Sequence, residues 1–223
     1  LARDFIDLVL EVEDQLLTQD IRQKVRRWVN IAQREIGGSF PWSWLECEFT
    51  TPNVLDRPNI YTLPPDFYAP LGVRYRSSSG AFSVLRVITT ENEDAVNPDQ
   101  SVTADIPSRA MFTGRTLQLN PAPTVAGGLV VLRALRTPPE MVADSDTPII
   151  PEVHRDVLIS GAVRIGSRWL WDDKGDQDRA RNDFNVGLAK MIQIEKGGTA
   201  HNENMGLDSN WLDMMNTAGS SVT

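Results

Sequence analysis

The sequence predicts an α+β protein. A four-helix bundle is built from the N- and C-terminal segments, and an antiparallel β-sandwich or barrel is inserted between them. Three observations predict this. All fourteen prolines lie between Pro41 and Pro151, with none before or after. Proline lacks the N–H and clashes with the preceding helical turn, so the ends are free to be helical and the middle is not. The ends carry apolar residues at helical spacing, whereas the middle carries short runs separated by turn residues. The expected divisions are 1–40 for the first half of the bundle, 41–150 for the β unit, 151–196 for the second half, and 197–223 for an extended C-terminal arm.

In the first segment, Phe5, Leu8, Val9, Val12 and Leu16 follow the i, i+3, i+4, i+7 spacing of one buried helical face. Thr18 and Asp20 stand where a break and a new N-cap belong. Ile21, Val25, Trp28, Val29, Ala32 and Ile36 then repeat the spacing, and Gly37-Gly38 is expected to end that helix. Arg22, Lys24, Arg26, Arg27 and Arg34 fall on the other side, as a solvated face.

In the middle segment, Glu46–Thr51 and Ile60–Leu63 read as strands. Leu71–Tyr75 and Phe82–Ile88 flank Ser77-Ser78-Ser79-Gly80 as a hairpin. Met111–Thr113 and Thr116–Leu119 flank Gly114-Arg115 as another, and Gly127-Gly128 opens the strand Leu129–Leu135. The polar stretch Glu91–Gln100 reads as loop or a short helix.

The third segment opens at Pro151-Glu152, a favourable helix start with an acid at the positive dipole end. Leu158, Ala162, Ile165 and Trp169 form its stripe. Gly161, Gly166 and Ser167 beside it let another helix approach closely. Ala180, Phe184, Leu188, Met191 and Ile192 mark a fourth helix, ended by Gly197-Gly198. The polar arm from Thr199 carries an apolar cluster, Trp211, Leu212, Met214 and Met215. It either docks on a partner or packs back as a short helix.

Composition narrows the function. The chain has 223 residues, 22 basic and 30 acidic groups, for a net charge of −8. The charge is spread evenly along the sequence, and no segment is a basic tail or patch. No apolar run approaches the roughly 20 residues of a membrane span, so no membrane partner is expected. The single cysteine, Cys47, excludes a disulfide framework within the chain and fits a reducing compartment.

The residues that could carry chemistry do not fall into a catalytic or ligating pattern. His154 sits at a solvated helix start and His201 among Asn and Gly, so neither is backed as catalyst or ligand. Cys47 lies between Glu46 and Glu48, which oppose thiolate formation. The cluster Asp172, Asp173, Asp176 and Asp178 has Lys174 and Gly175 in the wrong places for a calcium loop, and cap chemistry explains it. A metal-dependent hydrolase on those acids is the weaker alternative. No phosphate-binding glycine loop or nucleophile elbow is present. No enzyme, cofactor or metal is therefore expected. Trp42-Ser43-Trp44 and Trp169-Leu170-Trp171 are i, i+2 pairs at segment junctions. One member of each pair can pack inward while the other is left for a contact. The interface candidates are Trp42, Trp44, Trp171, Trp211, Leu212, Met214 and Met215. A glycan- or protein-binding module using the β-unit tryptophans is the competing reading.

A family resemblance rests on the order of several short elements. They are Trp28-Val29-Asn30-Ile31-Ala32-Gln33-Arg34-Glu35-Ile36, Trp42-Ser43-Trp44-Leu45-Glu46 with Phe49-Thr50-Thr51, and Tyr61-Thr62-Leu63-Pro64-Pro65-Asp66-Phe67. Leu117-Gln118-Leu119-Asn120-Pro121-Ala122-Pro123 follows, and then Asp146-Thr147-Pro148-Ile149-Ile150-Pro151-Glu152 with Leu158-Ile159-Ser160-Gly161-Ala162. In this order, from about Trp28 to Met191, the chain resembles bacteriophage head-to-tail adaptor proteins, either the tail tubular branch of short-tailed phages or the long-tailed adaptor branch. The resemblance implies a virion protein of the head–tail junction, assembled in the host cytoplasm. It implies a homo-oligomeric, twelve-membered ring that joins the phage portal protein to a tail or nozzle protein. The ring would continue the channel for genomic DNA without sequence-specific binding.

Overall fold

The computed structural model describes residues 4–17, 21–52, 59–88, 103–124 and 128–199. The expected Thr18/Asp20 break, the Glu91–Gln100 stretch and the cluster Trp211, Leu212, Met214 and Met215 lie outside them. The described residues form a mixed α+β fold with four helices and a curled seven-stranded sheet.

Helix α1 (Phe5–Gln15) buries Phe5, Leu8, Val9 and Val12, as their spacing predicts. Asp4 and Asp7 form a reciprocal capping box at its start, which satisfies two otherwise orphaned backbone donors. Helix α2 (Arg22–Ser39) buries Val25, Trp28, Val29, Ala32 and Ile36. It does not stop at Gly37-Gly38, because both glycines lie in its last turn. Gly37 is there for close approach. A Cβ on it would sit 2.4 Å from the Pro138 ring. The outer face of α2 is not uniformly solvated either. Arg26 pairs with Asp144 and its guanidinium covers the Phe5 ring at 4.7 Å, while Arg22 pairs with Glu13.

After a 3₁₀ turn over Ser43–Leu45 come the strands β1 (Glu46–Pro52), β2 (Ile60–Thr62), β3 (Phe67–Arg76), β4 (Phe82–Ile88), β5 (Thr103–Ala104), β6 (Arg109–Thr113), β7 (Thr116–Asn120), β8 (Ala122–Pro123) and β9 (Leu129–Arg136). Both expected hairpins form, β3–β4 and β6–β7. Gly80 and Gly114 take the positive φ their turns require. The main sheet runs β1-β9-β3-β4-β6-β7-β2. It is not antiparallel throughout, and it is a half-barrel rather than a sandwich. Strands β4 and β6 pair in parallel, and so do β5 and β8. A parallel pair needs a crossover of a dozen residues or more, and the stretch between β4 and β6 supplies that length.

One face of the curled sheet holds Tyr61, Val73, Tyr75, Leu85, Leu117, Leu119, Val130 and Leu132 in a core of its own. The opposite face is covered only at one end. There Ala69 and Leu135 join the helical core, together with Trp42, Leu45, Met141 and Ile150.

Helix α3 (Arg155–Leu170) follows a 3₁₀ turn at Glu152–His154, and α4 (Lys174–Thr199) follows it. Four helices form as expected, but around a hub: α1, α2 and α4 all pack on α3. The small residues of α3 permit this. A Cβ on Gly161 would lie 3.0 Å from Ala32 and Phe184, and one on Gly166 would lie 2.6 Å from Leu16. Leu158 and Ala162 are buried, but Trp169, expected on the same stripe, is 79% exposed. It sits in the last turn, past the point where neighbours cover the helix. Helix α4 buries Ala180, Phe184 and Met191, with Leu188 and Ile192 partly covered. It continues across Gly197-Gly198 to Thr199 instead of ending there.

Candidate functional site

The tryptophans of the first junction are placed by the end of α2. Trp42 is fully buried, and its indole Nε1–H donates to the Ile36 carbonyl at 2.6 Å. That satisfies one of the orphan acceptors of the helix terminus. Phe40 meets the Trp42 ring edge-on at 5.2 Å and Trp44 stacks on it at 5.6 Å. The i, i+2 pair therefore shares one cluster, because the chain turns through 3₁₀ geometry there and not through an α-helix. Trp42 offers no open ring to a sugar or a partner. Trp44 is half-buried, and its indole N–H is buried with no hydrogen-bond partner among the described residues.

At the second junction the roles are the reverse of a simple stripe. Trp171 packs against the helical core, and Trp169 projects into solvent with Leu170 beside it. Trp171 lines a cleft of about 320 Å³ between α1, α3 and α4, together with Gln15, Asp176, Arg179 and Asp183. The charges there are partly matched within α4, where Arg179 pairs with Asp176 at 3.2 Å.

The aspartate cluster behaves as cap chemistry. Asp173 Oδ1 accepts the Gly175 N–H at 2.7 Å, which is an N-cap on α4. Asp178 pairs with Arg181 at 3.0 Å. No group of three or more His, Cys, Asp or Glu that could hold a metal occurs among the described residues. His154 ends the 3₁₀ turn ahead of α3, and His201 lies outside the described residues. Cys47 is half-buried on β1, and its Sγ donates to the Ala134 carbonyl at 3.3 Å. Burial pushes its thiol pKa up, and Asp66 and Glu46 add to that against the opposing Arg136. It is the opposite of an activated nucleophile. No described helix is long and apolar enough to cross a membrane.

One surface was not legible in the sequence. On the uncovered end of the sheet, Arg74 and Arg76 of β3 stand beside Val84 and Phe82 of β4. Two residues along β4, Arg86 stands beside Arg109 of β6. The register puts all these side chains on one face. The even charge along the chain hid this grouping, since its members are spread from position 74 to position 109. The only local signal was the i, i+2 spacing of Arg74 and Arg76, which one strand presents on the same side.

Most of the polar groups described above are engaged in caps, turns and pairs, with the Trp44 indole N–H an exception. The family model described as SU10 adaptor protein matches residues 3–205. The chain belongs to that family, and so is a phage head-to-tail adaptor, a structural class and not a known enzyme family. The match reaches beyond the Trp28–Met191 stretch on both sides and takes in α1. A search of curated proteins finds no match.

Proposed function

We propose that this chain forms a twelve-membered ring between the phage portal protein and a tail or nozzle protein, and that the ring continues the DNA channel. In this reading the chain is an adaptor of the tail tubular type. Membership of the adaptor family carries it, and the fold supports it. A helical cluster and an inserted sheet, each with its own core, leave separate outer surfaces for neighbours along and across a ring. The acidic balance of the chain suits a conduit that should not hold phosphates. Trp44, Trp171, Trp211, Leu212, Met214 and Met215 are the proposed contacts, with Trp42 as the buried backing of Trp44. The divisions at residues 40, 150 and 196 are the proposed unit boundaries.

Electron microscopy of the purified chain mixed with portal-bearing heads tests this directly. A coaxial ring on the portal vertex is expected. Free portals at saturating protein would exclude the proposal.

A further inference from the structure

Arg74, Arg76 and Arg86 are exposed on the open end of the sheet, and Phe82 and Val84 between them are 66% and 77% exposed. The Arg76 guanidinium lies 5.6 Å from the Phe82 ring centroid, which holds both side chains in a raised, amphipathic knob. Strands β3, β4 and β6 contain no acidic residue. Elsewhere on the same chain, α1 is the reverse image. It carries four acids and no base; Glu13 is buried against Arg22, and Asp7 and Asp14 are exposed. Asp7, Leu10 and Asp14 recur at i, i+3 and i+7, so one stripe alternates acid and aliphatic. Leu10 is 46% exposed, and Leu17, in the turn just after the helix, is 92% exposed.

We infer that the Arg74/Arg76/Phe82/Val84/Arg86 face of one copy docks on the Asp7/Leu10/Asp14 stripe of α1 in a second copy, head to tail. Interfaces favour arginine and aromatic anchors around an apolar centre, and opposite charges set the register. Two different patches on each copy make a heterologous contact, and such contacts form a ring when the rotation between copies closes. Only the closure into a ring rests on the adaptor reading; the pairwise contact does not. Duplex DNA fits this face less well. Its centre is aliphatic and aromatic, and at its β1 edge Arg133 is already paired with Glu46 at 3.0 Å.

The test uses two reversed variants of the full chain, with mass in solution as the readout. One is Arg74→Glu/Arg76→Glu. The other is Leu10→Lys/Asp14→Lys, which leaves the Asp7 capping box intact. The wild type should associate, and more weakly as salt rises. Each variant alone should lose at least tenfold in association constant. An equimolar mixture of the two should associate again, because each reversed patch then meets a complementary one. That recovery also requires both variants to be folded. Variants that associate like the wild type overturn the inference, and so does a wild type that stays monomeric at all concentrations. Loss of binding to a labelled DNA duplex by the Arg74→Glu/Arg76→Glu variant, with self-association intact, also overturns it. Binding to portal-bearing heads, measured in parallel, tests the adaptor reading separately.

Discussion

Asn30 and Met141 hold each other by two hydrogen bonds across 111 residues of sequence. The Asn30 Nδ2 donates to the Met141 carbonyl at 2.9 Å, and the Met141 N–H donates to Asn30 Oδ1 at 2.9 Å. The amide thus stands in for a β-strand partner on the side of α2. Gln33, one turn on, donates to the Pro139 carbonyl at 2.7 Å. Together they tie the segment that leaves β9 to the helix. Asn30→Ala would leave the buried donor and acceptor of Met141 unpaired, at about 1–3 kcal/mol per group. Chemical denaturation should show a loss of about 2–6 kcal/mol, and Asn30→Asp, which sets an oxygen against the Met141 carbonyl and buries a charge, should not recover it.

Gly37 and Gly38 are adjacent in the sequence, yet their substitution by alanine should have opposite outcomes. At Gly37 a Cβ would lie 2.4 and 2.9 Å from two atoms of the rigid Pro138 ring. Overpacking of that kind costs about 1–3 kcal/mol. At Gly38 the nearest atom, the Tyr68 hydroxyl, is 3.9 Å away. There the higher helix propensity of alanine, worth up to ~1 kcal/mol, acts alone. Thermal unfolding should place Gly37→Ala below the wild type and Gly38→Ala at or above it.

Trp42 and Trp44 form a second contrasting pair. Trp42→Phe loses the bond to the Ile36 carbonyl and should cost about 1–2 kcal/mol. Trp44→Phe removes a buried N–H that has no partner among the described residues, and should be neutral or stabilising by up to ~1 kcal/mol. Equilibrium unfolding of the two variants separates these outcomes.

Asp146 predicts an acid-sensitive turn. The N–H groups of Val142 and Ala143 donate to its Oδ2 at 2.6 and 2.8 Å. These bonds, with Arg26 as a smaller cause, hold its carboxyl below the usual pKa. A depressed folded-state pKa contributes stability above the unfolded value of about 3.9 and loses it as pH falls through the folded one. Stability measured below about pH 4 should therefore drop less steeply in Asp146→Asn than in the wild type.

Much of this structure could be read from residue patterns, and the failures have physical causes. The stripes Phe5–Leu16 and Ile21–Ile36 gave the right buried faces, because a helix packed on one side leaves a clear period. The hairpins at Ser77–Gly80 and Gly114-Arg115 were visible because turns are local chemistry. The parallel β4–β6 pair was not, since nothing local records which way a crossover returns. The glycine pair at Gly37 misled for a related reason. Glycine ends helices by its conformational freedom, but Gly37 is there for the space that Pro138 occupies, and that need is set by a distant residue. The place of Trp42 and Trp44 at a junction was legible, but not their stacking. The arginine face was missed entirely, because only the register brings Arg74, Arg86 and Arg109 together.

The hub position of α3 has a consequence for the order of synthesis. Helices α1 and α2 emerge from the ribosome first, yet the helix they pack on is translated more than a hundred residues later. Until then Phe5, Leu8, Val9, Trp28 and Ala32 lack the surface that covers them. The sheet has its own core and is complete once β9 has emerged. It can thus form while the helices wait, and it brings the two ends of the helical core together when α3 arrives. Any contact that needs the finished helical core would thus be possible only after the C-terminal third has been translated.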